Sequence, residues 1–174
     1  AKSVQFSSLQ DWTKFTEPGI KYFRGTAIYS KSFNVRPAQL AANKSSMYLQ
    51  LGQVSHIARV KINNKDLGVV WTAPWVIKIP AGVLKSTANK LEIEVTNVWA
   101  NRLIGDEQEP ADMEWVPGPL GLGAQYLKES PDWFLNKQPR PSKGRFCFTT
   151  WNYFDKNSPL ITSGLLGPVM LVAE

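Results

Sequence analysis

From Asn89 to Asn97 apolar and polar side chains alternate without a break, with Leu91, Ile93 and Val95 on one side and Lys90, Glu92, Glu94 and Thr96 on the other. Successive side chains of an extended strand point to opposite faces, so this run reads as a strand with one greasy face and one wet face. The pattern recurs along the chain. Residues Thr26 to Val35 read as a strand that ends before Pro37, and Met47, Leu49 and Leu51 alternate with Tyr48 and Gln50 until Gly52. Ala58, Val60 and Ile62 alternate with Arg59 and Lys61, and Leu67, Val69 and Trp71 form the return strand. Between them Asn63-Asn64-Lys65-Asp66 reads as a tight turn, because Asn tolerates positive φ, so residues 57–72 are predicted to form a β-hairpin. Trp75, Ile77 and Ile79 make a further strand closed by Pro80, and Leu165 to Val172 is expected to be the closing strand. The alternation assigns Trp71 and Trp75 to the core.

Helical periodicity is nearly absent; single turns are expected near Leu9–Phe15 and Pro37–Ala42. Strands with one apolar face need a second layer to cover it, which predicts an all-β fold, an antiparallel β-sandwich or jelly roll. The 174 residues suffice for one domain with a sizeable core, read as a single domain over 1–174 with an irregular insertion at about 100–147. From Ala100 to Gly144 the alternation stops, and this segment holds six of the twelve prolines and seven of the fourteen acidic residues. Loops beyond about 15 residues are usually functional or disordered. Trp115, Tyr126, Trp133 and Phe134 argue against disorder. The segment therefore reads as an ordered, irregular excursion and the first place to look for a ligand.

The net charge of +6 is spread over single, scattered Lys and Arg residues that alternate with apolar ones, which is the pattern of a solvated sheet face and excludes a nucleic-acid footprint. No stretch approaches the ~20 apolar residues of a membrane-spanning helix. One cysteine, Cys147, and one histidine, His56, leave no intramolecular disulfide and no Cys/His zinc site. Cys147 lies between Phe146 and Phe148 and is expected to be a small buried hydrophobe. The opening Ala1-Lys2-Ser3-Val4-Gln5 has neither an apolar leader segment nor an initiator Met, so the expectation is a processed product or a piece of a longer chain.

The run Asp106-Glu107-Gln108-Glu109-Pro110-Ala111-Asp112-Met113-Glu114 admits three readings: a solvated loop, a structural calcium site, or a glycosidase carboxylate pair. Its spacing does not match an EF-hand. The carboxylate pair would need a separation of about 5 Å or about 6.5–9.5 Å. Tryptophans outside the strands raise sugar stacking against loop packing, an open choice for Trp115 and Trp133. His56 is expected to be a satisfied structural residue. No G-x-S-x-G elbow exists, and Gly121-Leu122-Gly123-Ala124-Gln125-Tyr126 lacks the third glycine of a dinucleotide fingerprint.

The runs Leu49-Gln50-Leu51-Gly52-Gln53-Val54 and Ala58 to Gly68, the step Trp71-Thr72-Ala73-Pro74-Trp75, and Asn89 to Asn97 together resemble the galactose-binding-like sandwiches of glycoside hydrolases. Asn97 to Asp106 and Ser163 to Val169 narrow the likeness to the C-terminal domain of glycoside hydrolase family 106. Its members are α-L-rhamnosidase-like enzymes of gut and environmental Bacteroidetes. The likeness covers most of residues 8–106 and 148–172; Asn64 replaces the usual turn glycine, and residues 107–144 match nothing in the family. The resemblance implies a non-catalytic carbohydrate-binding or accessory domain of a multidomain, secreted or periplasmic glycoside hydrolase. Its partners would be carbohydrate and the other domains of the same polypeptide, with no nucleic acid and no membrane. The family's catalytic carboxylates lie on a separate barrel, so no catalytic residue and no cofactor is carried over. A free-standing lectin-like module, a purely structural docking domain and a small hydrolase are the rivals. By loop position and chemistry, the candidate sugar contacts are Asn101, Arg102, Asp106, Glu107, Trp115 and Trp133.

Overall fold

The computed structural model describes residues 3–41, 47–118 and 125–173. Ala42 and the glycine run at 121–123 lie outside the described residues. A 3-10 turn spans Trp12–Lys14, followed by α1 (Pro18–Lys21), β1 (Thr26–Phe33) and α2 (Pro37–Ala41). Then come β2 (Met47–Gln50), β3 (Gln53–Ser55), β4 (Ile57–Ile62), β5 (Lys65–Val70), β6 (Val76–Ile79) and β7 (Asn89–Thr96). The remaining elements are α3 (Ala100–Asp106), β8 (Trp115–Pro117), β9 (Gln125–Leu127), α4 (Asp132–Leu135), β10 (Trp151–Asn152), β11 (Gly164–Gly167) and β12 (Met170–Ala173). The protein is mostly β, built from several small antiparallel sheets ordered β1-β7-β4-β5, β12-β2-β6, β11-β3 and β10-β9-β8. Among the described residues no helix is long and apolar enough to cross a membrane.

The chain forms two compact units. One comprises Ala1–Phe15, Arg24–Val98 and Thr162–Glu174; the other comprises Thr16–Phe23 and Trp99–Ile161. In the first, β7 is paired on both sides, with Ile93 opposite Tyr29 of β1 and Val60 of β4. Its apolar row Leu91, Ile93, Val95 is buried, as are Ala58, Val60 and Ile62 beside it and Met47, Leu49, Ile77 and Ile79 of the β12-β2-β6 sheet. A buried asparagine stands at each end of this strand. The Asn89 amide accepts from Lys85 N–H and Asn63 Nδ2 and donates to the Lys85 carbonyl, while Asn97 Oδ1 accepts from Gly25 N–H. Burying an amide is tolerable only when its donors and acceptors are met, and here they close the flanking turns.

The 57–72 hairpin forms with Asn63 and Asn64 at φ 51° and 64°, the paired left-handed geometry of a two-residue hairpin loop. Its return strand departs from simple alternation. The register steps from Val60 opposite Gly68 to Lys61 opposite Asp66, a bulge that leaves Leu67 unopposed. One extra residue reverses the faces of the rest of the strand: Val69 shares the outer face with Arg59, and Val70 and Gly68 take the inner one. The core assignment of Trp71 is corrected accordingly. It lies beyond β5 and is 72% exposed, while Trp75 is half-buried.

The closing strand also divides in two. Pro168 has no N–H to give a ladder, and the chain passes there from β11, paired with β3, to β12, paired with β2. The partner segment makes the same transfer at Gly52, between β2 and β3, and Gly52 and Gly167 meet there in an isolated bridge. Gly52 sits at φ +69°, and a Cβ added to it would overlap the Gly167 backbone. Only glycine meets both demands. The segment at about 100–147, expected to be an irregular insertion, contains the short elements α3, α4, β8 and β9, and β9 pairs with β10 just beyond it.

Gly52→Ala is expected to lower unfolding free energy by about 3 kcal/mol or more, read from urea denaturation midpoints, because the crowding is against backbone and cannot relax. A second outcome concerns Tyr29, whose hydroxyl accepts from Trp12 Nε1–H (2.6 Å) and Leu165 N–H (3.2 Å). Burial raises its pKa above the ordinary 10.0, against the opposing effect of those two bonds. The folded state then holds the proton more tightly than the unfolded chain. The stability contributed is full below the unfolded value and falls as pH rises from about 10 through the folded pKa. Tyr29→Phe is expected to cost about 1–3 kcal/mol at neutral pH and to flatten that alkaline decline in denaturation series.

Candidate functional site

The second unit is organised by arginines that the acidic run neutralises. Arg145, nearly fully buried, donates to both Glu107 carboxylate oxygens (2.8 and 3.2 Å) and to the carbonyls of Pro110 and Glu109. Arg140 grips both oxygens of Asp112 and also donates to the Cys147 carbonyl. Asp106 lies at the end of α3, where one carboxylate oxygen accepts from Phe146 and Cys147 N–H (3.1 and 2.7 Å). Its other oxygen stands 2.8 Å from Arg102 Nε, an ionic contact without hydrogen-bond alignment. The Arg102 guanidinium also lies over the rings of Tyr22 and Phe146. A planar guanidinium suits this work because its fork satisfies two carboxylate oxygens at once.

The solvated-loop reading of the acidic run is thereby corrected for Asp106 and Asp112, whose carboxylates are buried against Arg102 and Arg140. Glu114 remains a surface residue; its bond to Lys128 holds its carboxyl below the ordinary carboxylate range and holds Lys128 above its own. Among the described residues, no group of three or more His, Cys, Asp or Glu side chains could hold a metal ion. His56, between β3 and β4 in the first unit, has its Nδ1 buried without a hydrogen-bond partner rather than satisfied as expected.

The six candidate contacts divide by environment. Asn101 is 2% exposed, and its side chain closes a loop by donating to the Ile161 carbonyl and accepting from Ile161 N–H. Asp106, 3% exposed, and Arg102 serve each other. Trp133 donates to the Asp112 carbonyl, stacks under Arg140 and packs edge-on against Phe134 and Phe148, themselves stacked at 4.4 Å. That is loop packing. Asp106, Glu107 and Trp115 come together around one cavity of about 30 Å³, beside Met113, Arg145 and Cys147. A space of this size holds a water molecule or two and excludes a sugar ring.

Trp151 and Tyr153 also line that cavity, and with Tyr126 they form an exposed aromatic group at the β10-β9-β8 sheet. Trp151 stands directly opposite Tyr126, and Tyr126 opposite Val116. The Trp151 and Tyr153 rings are stacked at 6.0 Å with 17° between planes, and Tyr126 lies 6.3 Å from Trp151. An open groove of about 470 Å³ runs beside them, lined by Tyr126, Leu127, Glu129, Ser130, Thr150 and Trp151.

No protein-family model matches the chain. A Formosa agariphila protein named "Putative beta-glucuronidase" is 45% identical over 168 residues, which is 97% of this chain and 14% of that protein. The solved structure of the rhamnosidase from Novosphingobium sp. PP1Y aligns over 97% of this chain and 13% of its own, at 31% identity and a TM-score of 0.70. This chain is a β-rich domain homologous to part of large glycoside hydrolases. It spans about one seventh of the length of each.

Sequence reasoning missed Arg140 and Arg145 as the partners of the acidic run, and Tyr126, Trp151 and Tyr153 as a group. The signal for the latter was the two-residue spacing of Trp151 and Tyr153, too short a run to stand out. Arg145→Met strands Glu107 and is expected to lower unfolding free energy by about 3 kcal/mol. Arg145→Met combined with Glu107→Gln should recover part of that loss in the same denaturation assay, since no charge is then left unpaired.

Proposed function

We propose that this chain is a non-catalytic accessory domain of a multidomain glycoside hydrolase. On this reading the first unit is a two-layer β-sandwich of the galactose-binding-like type. The interior of that sandwich is drawn from the buried faces of the β1-β7-β4-β5 and β12-β2-β6 sheets. The observation that carries the reading is the coverage: nearly all of this chain aligns with one seventh of a much longer relative. The chemistry agrees with it. Of the six acidic residues between Asp106 and Glu129, Asp106, Glu107, Asp112 and Glu114 each face an Arg or Lys partner. Two carboxylates flanking a scissile bond need room for a sugar between them, and the cavity beside Asp106 and Glu107 has none. The domain's partners are then the other domains of the same polypeptide and glycan. Its location is secreted or periplasmic, where enzymes that act on large glycans meet their substrates.

The natural reading frame is expected to extend several hundred residues beyond the present chain and to encode a barrel-like βα pattern. The 174-residue chain, incubated alone with nitrophenyl β-glucuronide and nitrophenyl α-L-rhamnoside, is expected to release no nitrophenol above the blank. Turnover that follows the purified chain through successive columns would refute the reading.

A further inference from the structure

Tyr126, Trp151 and Tyr153 are 39%, 43% and 71% exposed, although rings of this size normally bury. Cross-strand pairing sets Tyr126 and Trp151 side by side, and period-two spacing returns Tyr153 to the side of Trp151. The outcome is a cluster of three exposed rings, Tyr153 stacked on Trp151 at 6.0 Å and Tyr126 tilted 50° from Trp151 at 6.3 Å. Such rings offer broad, rigid contact area with little rotamer freedom to lose on binding. The apolar C–H face of a pyranose packs flat on such a ring, while its hydroxyls need hydrogen-bonding groups at the edge. The adjoining groove supplies them from Glu129, Ser130 and Thr150.

We propose that the Tyr126–Trp151–Tyr153 cluster with its Glu129 groove is a binding platform for a neutral oligosaccharide. This rests on the accessory-domain reading above and supplies its ligand class. Neutrality follows from the groove's charge. Its lining carries the Glu129 carboxylate, and the neighbouring Lys128 is already paired with Glu114 at 2.7 Å, so the net charge left at the groove is negative, which accepts hydrogen bonds from sugar hydroxyls and disfavours a uronate. A docking patch for a neighbouring domain would bury about 800 Å² on this side, with charge depleted at its centre. An open groove edged by a carboxylate and two hydroxyls suits a polyhydroxylated chain better.

The test titrates the 174-residue chain with neutral oligomers of β-1,4-linked glucose, galactose, xylose and mannose, and with oligogalacturonate as the anionic arm. Calorimetry and tryptophan fluorescence are the readouts. At least one neutral oligomer is expected to bind. Tyr153→Ala and Trp151→Ala should weaken it at least about tenfold, as removal of an interfacial aromatic anchor does. Trp71→Ala, an exposed tryptophan of the other unit, should leave it unchanged, and Glu129→Gln should narrow the discrimination against oligogalacturonate. Tyr153 is exposed enough for its variant to keep the fold, which circular dichroism checks. No neutral binding up to about 10 mM, tightest binding to oligogalacturonate, or affinity unmoved by both aromatic variants overturns the proposal. A chain that binds no neutral oligomer yet hydrolyses no aryl glycoside refutes the platform alone; one that hydrolyses them refutes the accessory reading.

Discussion

The first unit depends on strand β7 and on the two amides that hold its ends. Leu91, Ile93 and Val95 supply apolar area, but burial alone is non-directional and would tolerate a slipped register. Asn89 and Asn97 remove that freedom. Each hydrogen-bonds to backbone or side-chain groups outside β7, so a one-residue slip would leave buried amides unmet at both ends. Hydrophobic area drives the strand inward, and the asparagines decide where along its length it stops.

The second unit is held by other means. It has few long strands and shows three arginines threaded among carboxylates, carbonyls and aromatic rings. Buried ion pairs add little net stability, because desolvation offsets most of the attraction. What they provide is placement: Arg145 gathers Glu107, Glu109 and Pro110 around a single guanidinium, and an irregular backbone acquires one defined path. The aromatic cluster of Trp133, Phe134 and Phe148 supplies the apolar area that such a loop otherwise lacks.

Much of the first unit was legible because its signals are local. Alternation identified β4 and β7, the asparagine pair identified the hairpin turn, and Pro37 marked the end of β1. The failures came where one residue changes phase or partner. The bulge at Leu67 lies inside an apparently unbroken apolar row and turned Val69 outward, and Pro168 split one expected strand between two sheets. In the second unit the acidic run was visible, but Arg140 and Arg145 lie 28 and 38 residues from the carboxylates they meet. Arg102 reaches Asp106 only once α3 has formed. Charge neutralisation at long range has no sequence period. The candidate contacts chosen for chemistry and position therefore included Asn101 and Asp106, which the fold consumes internally.

The crossing at Gly52 and Gly167 ties the two smaller sheets of the first unit together. Each of the two segments that meet there contributes a strand to both sheets, β2 with β3 and β11 with β12. Peeling either segment away would strip a partner from both ladders at once. Neither sheet can then fray by itself, and the amides of β2, β3, β11 and β12 belong to one cooperative opening unit.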